Sequence, residues 1–386
     1  MSLPPPSDAA AQAAIDACFA LYDQAQRQGL GPALEAIPGL LPQLHDPGLR
    51  GEMAKLYTVY AMRRRDYQAA VAIGRIACAD RPQDRQALDN LLTSLLQLDR
   101  LDEALREGAA GLLRQPESFG CHDVMTEALT RLGRLSEARG HGTLSLALKD
   151  RQSSGVAFDL SGVAVPPFEP RRRRRNIIAF SLFGAQPRYC LAAIENAIGA
   201  RFLYPGWTCR FYLDASVPRA TVERLEAEGA QVVRADDLPA QPFGTFWRFL
   251  VADDREIDRY VVRDADSVIN TRERVAVDEW IASGRHFHVM RDEARQSELV
   301  LAGMWGGVRG ALAPMRAAMA AFASDPRMLR GRTADQEFLR EVVWPTIRQS
   351  VLVHDSQFAF GERRDFPAVG GLLPGRSIGD WSVQGG

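Results

Sequence analysis

The residues Tyr260-Val261-Val262-Arg263-Asp264-Ala265-Asp266-Ser267 decide how the second half of this chain folds. A short apolar run of this kind suits a strand buried in a parallel sheet, and here it stops at two aspartates one residue apart. Ligands of open α/β sheets bind beyond the carboxyl ends of strands, so an Asp-x-Asp turn in that place can present two carboxylates to one divalent ion. Mg²⁺ and Mn²⁺ take oxygen ligands and are commonly held by one or two carboxylates together with substrate phosphates. Two aspartates in a turn also serve simply to cap or solvate it, so the neighbouring sequence has to separate the two roles.

Toward the amino end, Asn176-Ile177-Ile178-Ala179-Phe180-Ser181-Leu182 reads as another buried strand, ended by Gly184 and followed by a helix over residues 189–203. Residues 208–213 form the next strand, 220–228 a helix and 231–234 a third strand, which makes 260–263 the fourth. Alternating strands and helices predict an α/β domain with a mostly parallel sheet covered on both faces. Toward the carboxyl end, Asp335-Gln336 stands ahead of a helix over 337–343, where the carboxylate can cap the first amides. His354-Asp355-Ser356 follows a strand-like Ser350-Val351-Leu352-Val353.

The first half repeats itself. Asp66-Tyr67-Gln68-Ala69-Ala70-Val71, Arg100-Leu101-Asp102-Glu103-Ala104-Leu105 and Arg134-Leu135-Ser136-Glu137-Ala138-Arg139 follow one another at a step of 34 residues, and Pro82 and Pro116 keep the same step. A small residue at a fixed place lets two helices approach closely, the large residue three positions earlier fills the gap, and the proline stops the second helix. One step earlier Ala36 falls in register, so residues 10–50 read as a degenerate capping repeat. Expected boundaries are therefore a helical repeat domain over 1–150, a linker over 151–175 and the α/β domain over 176–386.

Composition narrows the function classes. A length of 386 residues fits two domains, and a net charge of −1 with 46% hydrophobic and 25% charged residues gives no electrostatic footprint for nucleic acid. All but Lys55 and Lys149 of the 47 basic residues are arginines. Five scattered cysteines without Cys-x-x-Cys spacing suggest neither a disulfide framework nor a zinc site. No apolar stretch long enough for a transmembrane segment occurs and no secretory signal opens the chain, so a cytoplasmic location is expected. The arginines at 171–175 could attract phosphate or an acidic membrane surface, or simply end a solvated linker.

Two resemblances sharpen these readings. The 34-residue unit resembles the tetratricopeptide repeat, a helix–turn–helix module that binds polypeptides or associates with itself. The ordered set Phe180-Ser181-Leu182-Phe183-Gly184, Tyr189, Asn196, Tyr204-Pro205-Gly206-Trp207, Arg210-Phe211-Tyr212, Phe246-Trp247-Arg248-Phe249, Arg263-Asp264-Ala265-Asp266-Ser267, His288-Val289-Met290-Arg291-Asp292 and Gly303-Met304-Trp305-Gly306 looks like bacterial glycosyltransferase-like proteins of the GT-A fold. This resemblance covers about residues 176–360. It implies a Rossmann-like nucleotide-sugar domain using Mn²⁺ or Mg²⁺ and a nucleoside-diphosphate sugar, with a UDP-sugar favoured. It further implies Asp264, Asp266 and His354 as metal ligands, and Ser181, Gly184, Tyr189, Arg248, Asp264, Gly303 and Trp305 around the donor. Trp305 would offer an apolar face to the sugar, and Asp335 would be the catalytic carboxylate near the acceptor, which is a glycan or a protein. The sequence departs from such relatives after Asp292, where Glu293-Ala294-Arg295 replace a His-Pro-containing stretch, which puts sugar or acceptor specificity in question. The competing expectation is a non-catalytic tetratricopeptide scaffold carrying a degenerate transferase domain.

Overall fold

The computed structural model describes residues 30–235, 244–324 and 334–368. The chain divides after Leu148 into two compact units.

The first unit is a stack of helices: α1 (Leu30–Leu40), α2 (Pro47–Arg63), α3 (Tyr67–Asp80), α4 (Arg85–Gln97), α5 (Leu101–Arg114), α6 (Phe119–Arg131) and α7 (Leu135–Gln152), the last of which runs past the division. The 34-residue step is visible in the backbone itself, because α3, α5 and α7 begin at 67, 101 and 135. Before each of them one residue adopts a left-handed conformation, Arg65 at φ 61°, Asp99 at 57° and Gly133 at 73°. Only the last is the glycine that this conformation favours, so turn geometry and helix packing hold the other two. Ala70, Ala104 and Ala138 have no exposed surface, as their place against the neighbouring helix requires. Asp66, Asp84 and Ser118 each accept a hydrogen bond from the amide three residues on, capping α3, α4 and α6.

Two expectations change in this unit. Ala36 is exposed rather than buried, so the 30–50 region does not pack as its register mates do, and residues 10–29 of the expected capping repeat lie outside the described residues. Leu135 is 48% exposed, whereas Tyr67 and Leu101 are partly buried. No further repeat follows to fill the space beside it.

The second unit is built on a seven-stranded sheet in the order β3-β2-β1-β4-β6-β5-β7. The strands are β1 (Asn176–Leu182), β2 (Thr208–Leu213), β3 (Gln231–Arg234), β4 (Arg259–Arg263), β5 (Phe287–Arg291), β6 (Met304–Val308) and β7 (Val351–Asp355). β1, β4, β5 and β6 are buried along their whole length, so both faces of the sheet centre are covered. The helices are α8 (Pro187–Leu203), α9 (Arg219–Ala227), α10 (Thr271–Ser283), α11 (Met315–Ser324), α12 (Ala334–Phe338) and α13 (Trp344–Ile347). A 3₁₀ helix spans Gly244–Asp253, and Leu339–Val343 between α12 and α13 is π-helical.

The sheet is mixed. Only β6 runs against its neighbours, pairing antiparallel with both β4 and β5. Gly306 permits this insertion, because a Cβ there would stand 2.6 Å from the Tyr260 carbonyl oxygen of β4. Residues 151–175, expected as a linker, are bonded to the second unit along their length. Ser153 Oγ donates to the Arg340 carbonyl at 2.8 Å, the Phe158 amide to Thr346 Oγ1 at 2.9 Å, and His286 Nε2 meets the Val163 carbonyl at 2.7 Å. Phe168 packs on Trp207, their ring centroids 6.0 Å apart. Among the described residues no helix is long and apolar enough to cross a membrane.

Candidate functional site

From β1 the strand order runs outward to β2 and β3 on one side and to β4 on the other. Such a reversal opens a crevice at the carboxyl ends of the two central strands. Here the crevice is a cavity of about 440 Å³. Ser181, Leu182, Phe183, Gly184, Gln186 and Tyr189 line it from the β1 side, Thr245 and Arg248 from the 3₁₀ helix, and Asp264-Ala265-Asp266 from the end of β4. Six residues selected from the sequence, Ser181, Gly184, Tyr189, Arg248, Asp264 and Asp266, therefore meet in one cleft.

Arg248 organises it. Its side chain is 3% exposed, and one nitrogen, Nη1, donates to Asp264 Oδ1 and to the Arg263 carbonyl at 3.3 Å. Its other terminal nitrogen, Nη2, reaches Asp335 Oδ2 at 3.3 Å. A planar fork suits two acceptors held at fixed angles, which a lysine could not serve equally. The Arg248 amide donates to Ser181 Oγ at 2.9 Å, and the Ser181 hydroxyl is 3.4 Å from the Thr245 carbonyl. Ser181 thus pins the 3₁₀ helix to the end of β1.

Asp264 is half-exposed, with 44% of its side chain accessible, while Asp266 is mostly covered and pairs with Arg188 Nη2 at 2.6 Å. Burial raises the Asp266 pKa, the Asp264 charge raises it further, and Arg188 opposes both. Asp335, in the first turn of α12, is also pushed up, mainly by burial and secondarily by Asp264, with Arg248 acting against the shift. Two carboxylates that feel each other's charge at a cleft rim have the oxygen chemistry that a divalent cation requires. Asp264 and Asp266 therefore fit such an ion, and Arg248 and Arg188 supply positive charge to the same cavity.

Gly303 lies outside the lining of the cavity and behind Asp264. A Cβ on it would fall 2.1 Å from Asp264 Oδ2, and its carbonyl accepts from Arg263 Nη1 at 2.8 Å. Trp305 corrects the expectation of a sugar-facing ring: it has no exposed surface and packs in the sheet core, 5.6 Å from Tyr260 and 6.0 Å from Phe249 between ring centroids. Phe249 of the 3₁₀ helix covers it, so the ring belongs to the core rather than to the cleft wall.

His354 is not brought to the aspartates either. It lies on β7, separated from β4 by β6 and β5, a lateral distance on the order of 14 Å at the usual strand spacing. Its Nδ1 is 2.8 Å from His288 Nε2, and its Nε2 is 3.1 Å from Glu279 Oε2. Among the described residues no three His, Cys, Asp or Glu side chains converge as a metal-binding group.

The histidines carry a pH dependence of their own. Burial pushes His288 well below its usual range and lowers His354, which Glu279 partly offsets. His122 and His141, whose Nδ1 atoms are 2.8 Å apart in the first unit, are lowered too, His122 to about 4. Such groups stay neutral when folded but bind protons when unfolded, so stability is lost as the pH falls below the ordinary histidine value of about 6.5. Urea melts should show the wild type losing more stability between pH 7.5 and pH 5.5 than His122→Asn/His141→Asn loses in the first unit or His288→Asn in the second. Equal losses would contradict this account.

Arg188 and Phe183 also stand at the cleft, although neither was selected from the sequence. Arg188 follows Pro187 at the start of α8, and that first turn faces the end of β1; a basic residue just after a strand–glycine–helix junction was the available signal. Phe183 stands 45% exposed at the cleft wall with Trp247 edge-on, their centroids 6.0 Å apart.

No family model matches the chain, and no curated protein does. Among solved structures it is similar to MamA 41-end from Desulfovibrio magneticus RS-1, at 18% identity and TM-score 0.30 over 35% of this chain and 75% of that one. It is similar to a Thermobaculum terrenum O-GlcNAc transferase mutant at 20% identity and TM-score 0.38, over 68% of this chain and 47% of that one. A third similar structure is a tetratricopeptide repeat protein from Parabacteroides merdae ATCC 43184, at 16% identity and TM-score 0.32 over 37% and 55% of the two chains. At these values the likeness identifies neither a shared activity nor a shared ligand. The chain's own architecture is a helical-repeat unit joined to a mixed-sheet unit with an acidic, arginine-braced cleft.

Proposed function

We propose that the second unit is a glycosyltransferase that moves a sugar from a nucleoside-diphosphate donor, a UDP-sugar by preference, to a glycan or protein acceptor. The observation that carries this reading is the cleft at the β1/β4 reversal, in which Arg248 links Asp264 to Asp335 while Asp266 stands at the rim. A Mn²⁺ or Mg²⁺ ion, held by Asp264 and Asp266, would supply charge neutralisation for the diphosphate leaving group.

The chain's own residues have separate tasks. Arg248 holds Asp264 in one orientation, and Gly303 leaves room for that orientation behind it. Arg188, half-exposed, can exchange its Asp266 partner for a phosphate oxygen. Phe183 offers an exposed aromatic ring to a planar base at the opposite wall. Asp335, buried and with a raised pKa, is the carboxyl that can accept the acceptor's proton in an inverting reaction or position the sugar in a retaining one. The repeat unit, by its architecture, is suited to holding a polypeptide acceptor or a second copy of the chain.

Donor hydrolysis and thermal shift with UDP-, GDP- and CMP-sugars, with and without Mn²⁺, test this directly. A UDP-sugar should stabilise the wild type only with the metal, and Asp266→Asn should abolish that response while leaving the melting temperature without ligand nearly unchanged. If no nucleotide sugar changes the melting temperature of the wild type, the scaffold reading replaces the enzymatic one.

A further inference from the structure

The arginines at 171–175 have no part in the cleft. They form most of the 3₁₀ helix Pro170–Arg175, which leads directly into β1, and so lie at the amino ends of the central strands. The cleft is at the carboxyl ends, roughly 20 Å away along a seven-residue strand. The run is fixed in place rather than loose: the Arg173 carbonyl accepts from the Asn176 amide and from Thr208 Oγ1 at 3.2 Å, and the Arg175 carbonyl accepts from the Asp258 amide at 2.6 Å.

Among the described residues, carboxylates neutralise only two of the five guanidinium groups. Arg172 pairs with Glu169 at 2.9 Å and Arg175 with Asp258 at 2.6 Å. Arg171, Arg173 and Arg174 are exposed and have no carboxylate partner among the described residues. The five side chains flank one open depression of about 400 Å³. Arg173 also borders a second cavity with Arg201, from the last turn of α8. The residue after Arg201 is Phe202, 76% exposed although large and apolar.

We propose that this end of the sheet is a docking surface for an anionic lipid bilayer. Three unneutralised guanidiniums on a rigid turn match a layer of phosphate headgroups in sign and in multiplicity, and arginine forks bind phosphate oxygens in pairs. The exposed ring of Phe202 selects a bilayer over a free polyanion, because an aromatic side chain gains from burial at the headgroup boundary and gains nothing beside a dissolved phosphate. A chain with a net charge of −1 has no general attraction for anions, so binding depends on this patch. Docked in this way, the second unit turns its cleft away from the membrane and toward dissolved donors. The surface acts as a tether, independent of what the cleft catalyses.

Sedimentation of the 386-residue chain with phosphatidylcholine vesicles, with and without about 30% phosphatidylglycerol, tests the assignment. The chain should pellet with the anionic vesicles alone, and 0.5 M NaCl should release it by screening. The variant Arg171→Ser/Arg173→Ser/Arg174→Ser breaks no ion pair, so its melting temperature should match wild type while its vesicle affinity falls at least about tenfold. Phe202→Ser should weaken vesicle binding severalfold. Binding to a single-stranded oligonucleotide or to polyphosphate without binding to vesicles would overturn the proposal, as would equal pelleting of wild type and the triple variant. If that variant misfolds, the salt release and lipid dependence of the wild type decide: pelleting with neutral vesicles, or salt-insensitive pelleting, refutes it.

Discussion

Arg248→Leu should destabilise the second unit by about 3 kcal/mol and, on the glycosyltransferase reading proposed above, remove nucleotide-sugar binding, the largest single effect expected in the cleft. The figure follows from what the substitution leaves behind. Breaking a buried ion pair by removing one partner costs roughly 3–5 kcal/mol, because the remaining charge stays desolvated. Asp335 is that charge, with its side chain 10% exposed, whereas the 44% exposed Asp264 can turn to water and adds little. The lower end of the range therefore applies. Without Arg248 the largest opposition to the burial that raises the Asp335 pKa is gone, so the carboxyl takes up a proton more readily. The deficit should shrink on going from pH 7.5 to pH 5, measured by urea melts against wild type at each pH. Arg248→Lys is the informative partner variant: it restores charge without the fork, and it should recover part of the stability and little of the binding. A Leu variant with wild-type stability at pH 7.5 would show that the bridge is not structural.

Gly303→Ala produces the second large effect, by a different route. The added methyl occupies the position of the Asp264 carboxylate, 2.1 Å from Oδ2 and 2.5 Å from Cγ. One of them must move, and the carboxylate is the group that can rotate away. Overpacking of this size costs about 1–3 kcal/mol, and misplacing a reacting or ligating group by an ångström can cost roughly a hundredfold in rate. Sugar transfer or donor hydrolysis should accordingly fall about a hundredfold, with only modest loss of melting temperature. Pairing Gly303→Ala with Asp264→Ala removes the carboxylate clash but leaves the methyl 2.8 Å from the amide nitrogen of residue 264, so the double variant should regain only part of the stability and none of the activity. Failure of even partial recovery would place the strain in the backbone approach at the amide of residue 264.

How much of this was legible beforehand depended on how local the determining physics was. The repeat step was readable because it is written in packing residues, and Ala70, Ala104 and Ala138 indeed have no exposed surface. β1, β2 and β3 were readable to the residue, β1 and β2 as largely apolar runs between turn signals and β3 from Val232-Val233 following a helix and Gly229. β6 was not. Met304-Trp305-Gly306-Gly307-Val308 has two glycines, which weaken strand propensity, and it forms a strand only because β4 and β5 supply both edges. That omission explains the displaced residues. Inserting β6 turned Trp305 into core and left two strands, β6 and β5, between β4 and His354, which sits beside His288 and Glu279. The aspartates survived the same test because they follow β4 directly and depend on no distant pairing. Arg188 went unselected because its role rests on a partner 78 residues along the chain.

The bonds made by residues 153–168 also bear on what can be inherited or exchanged as one piece. The backbone at Gly155 runs so close to the chain at Glu341 that a methyl group would meet the Glu341 carbonyl at 2.0 Å. Arg259 completes the same belt through the Pro166 carbonyl and the Phe168 ring. A gene fusion that joined a foreign partner at Asn176 would keep every strand and still strip the sheet of these partners. The portable module begins at Lys149, whose buried ammonium group is bound to the Ser297 carbonyl at 2.7 Å and to Glu298 at 2.8 Å.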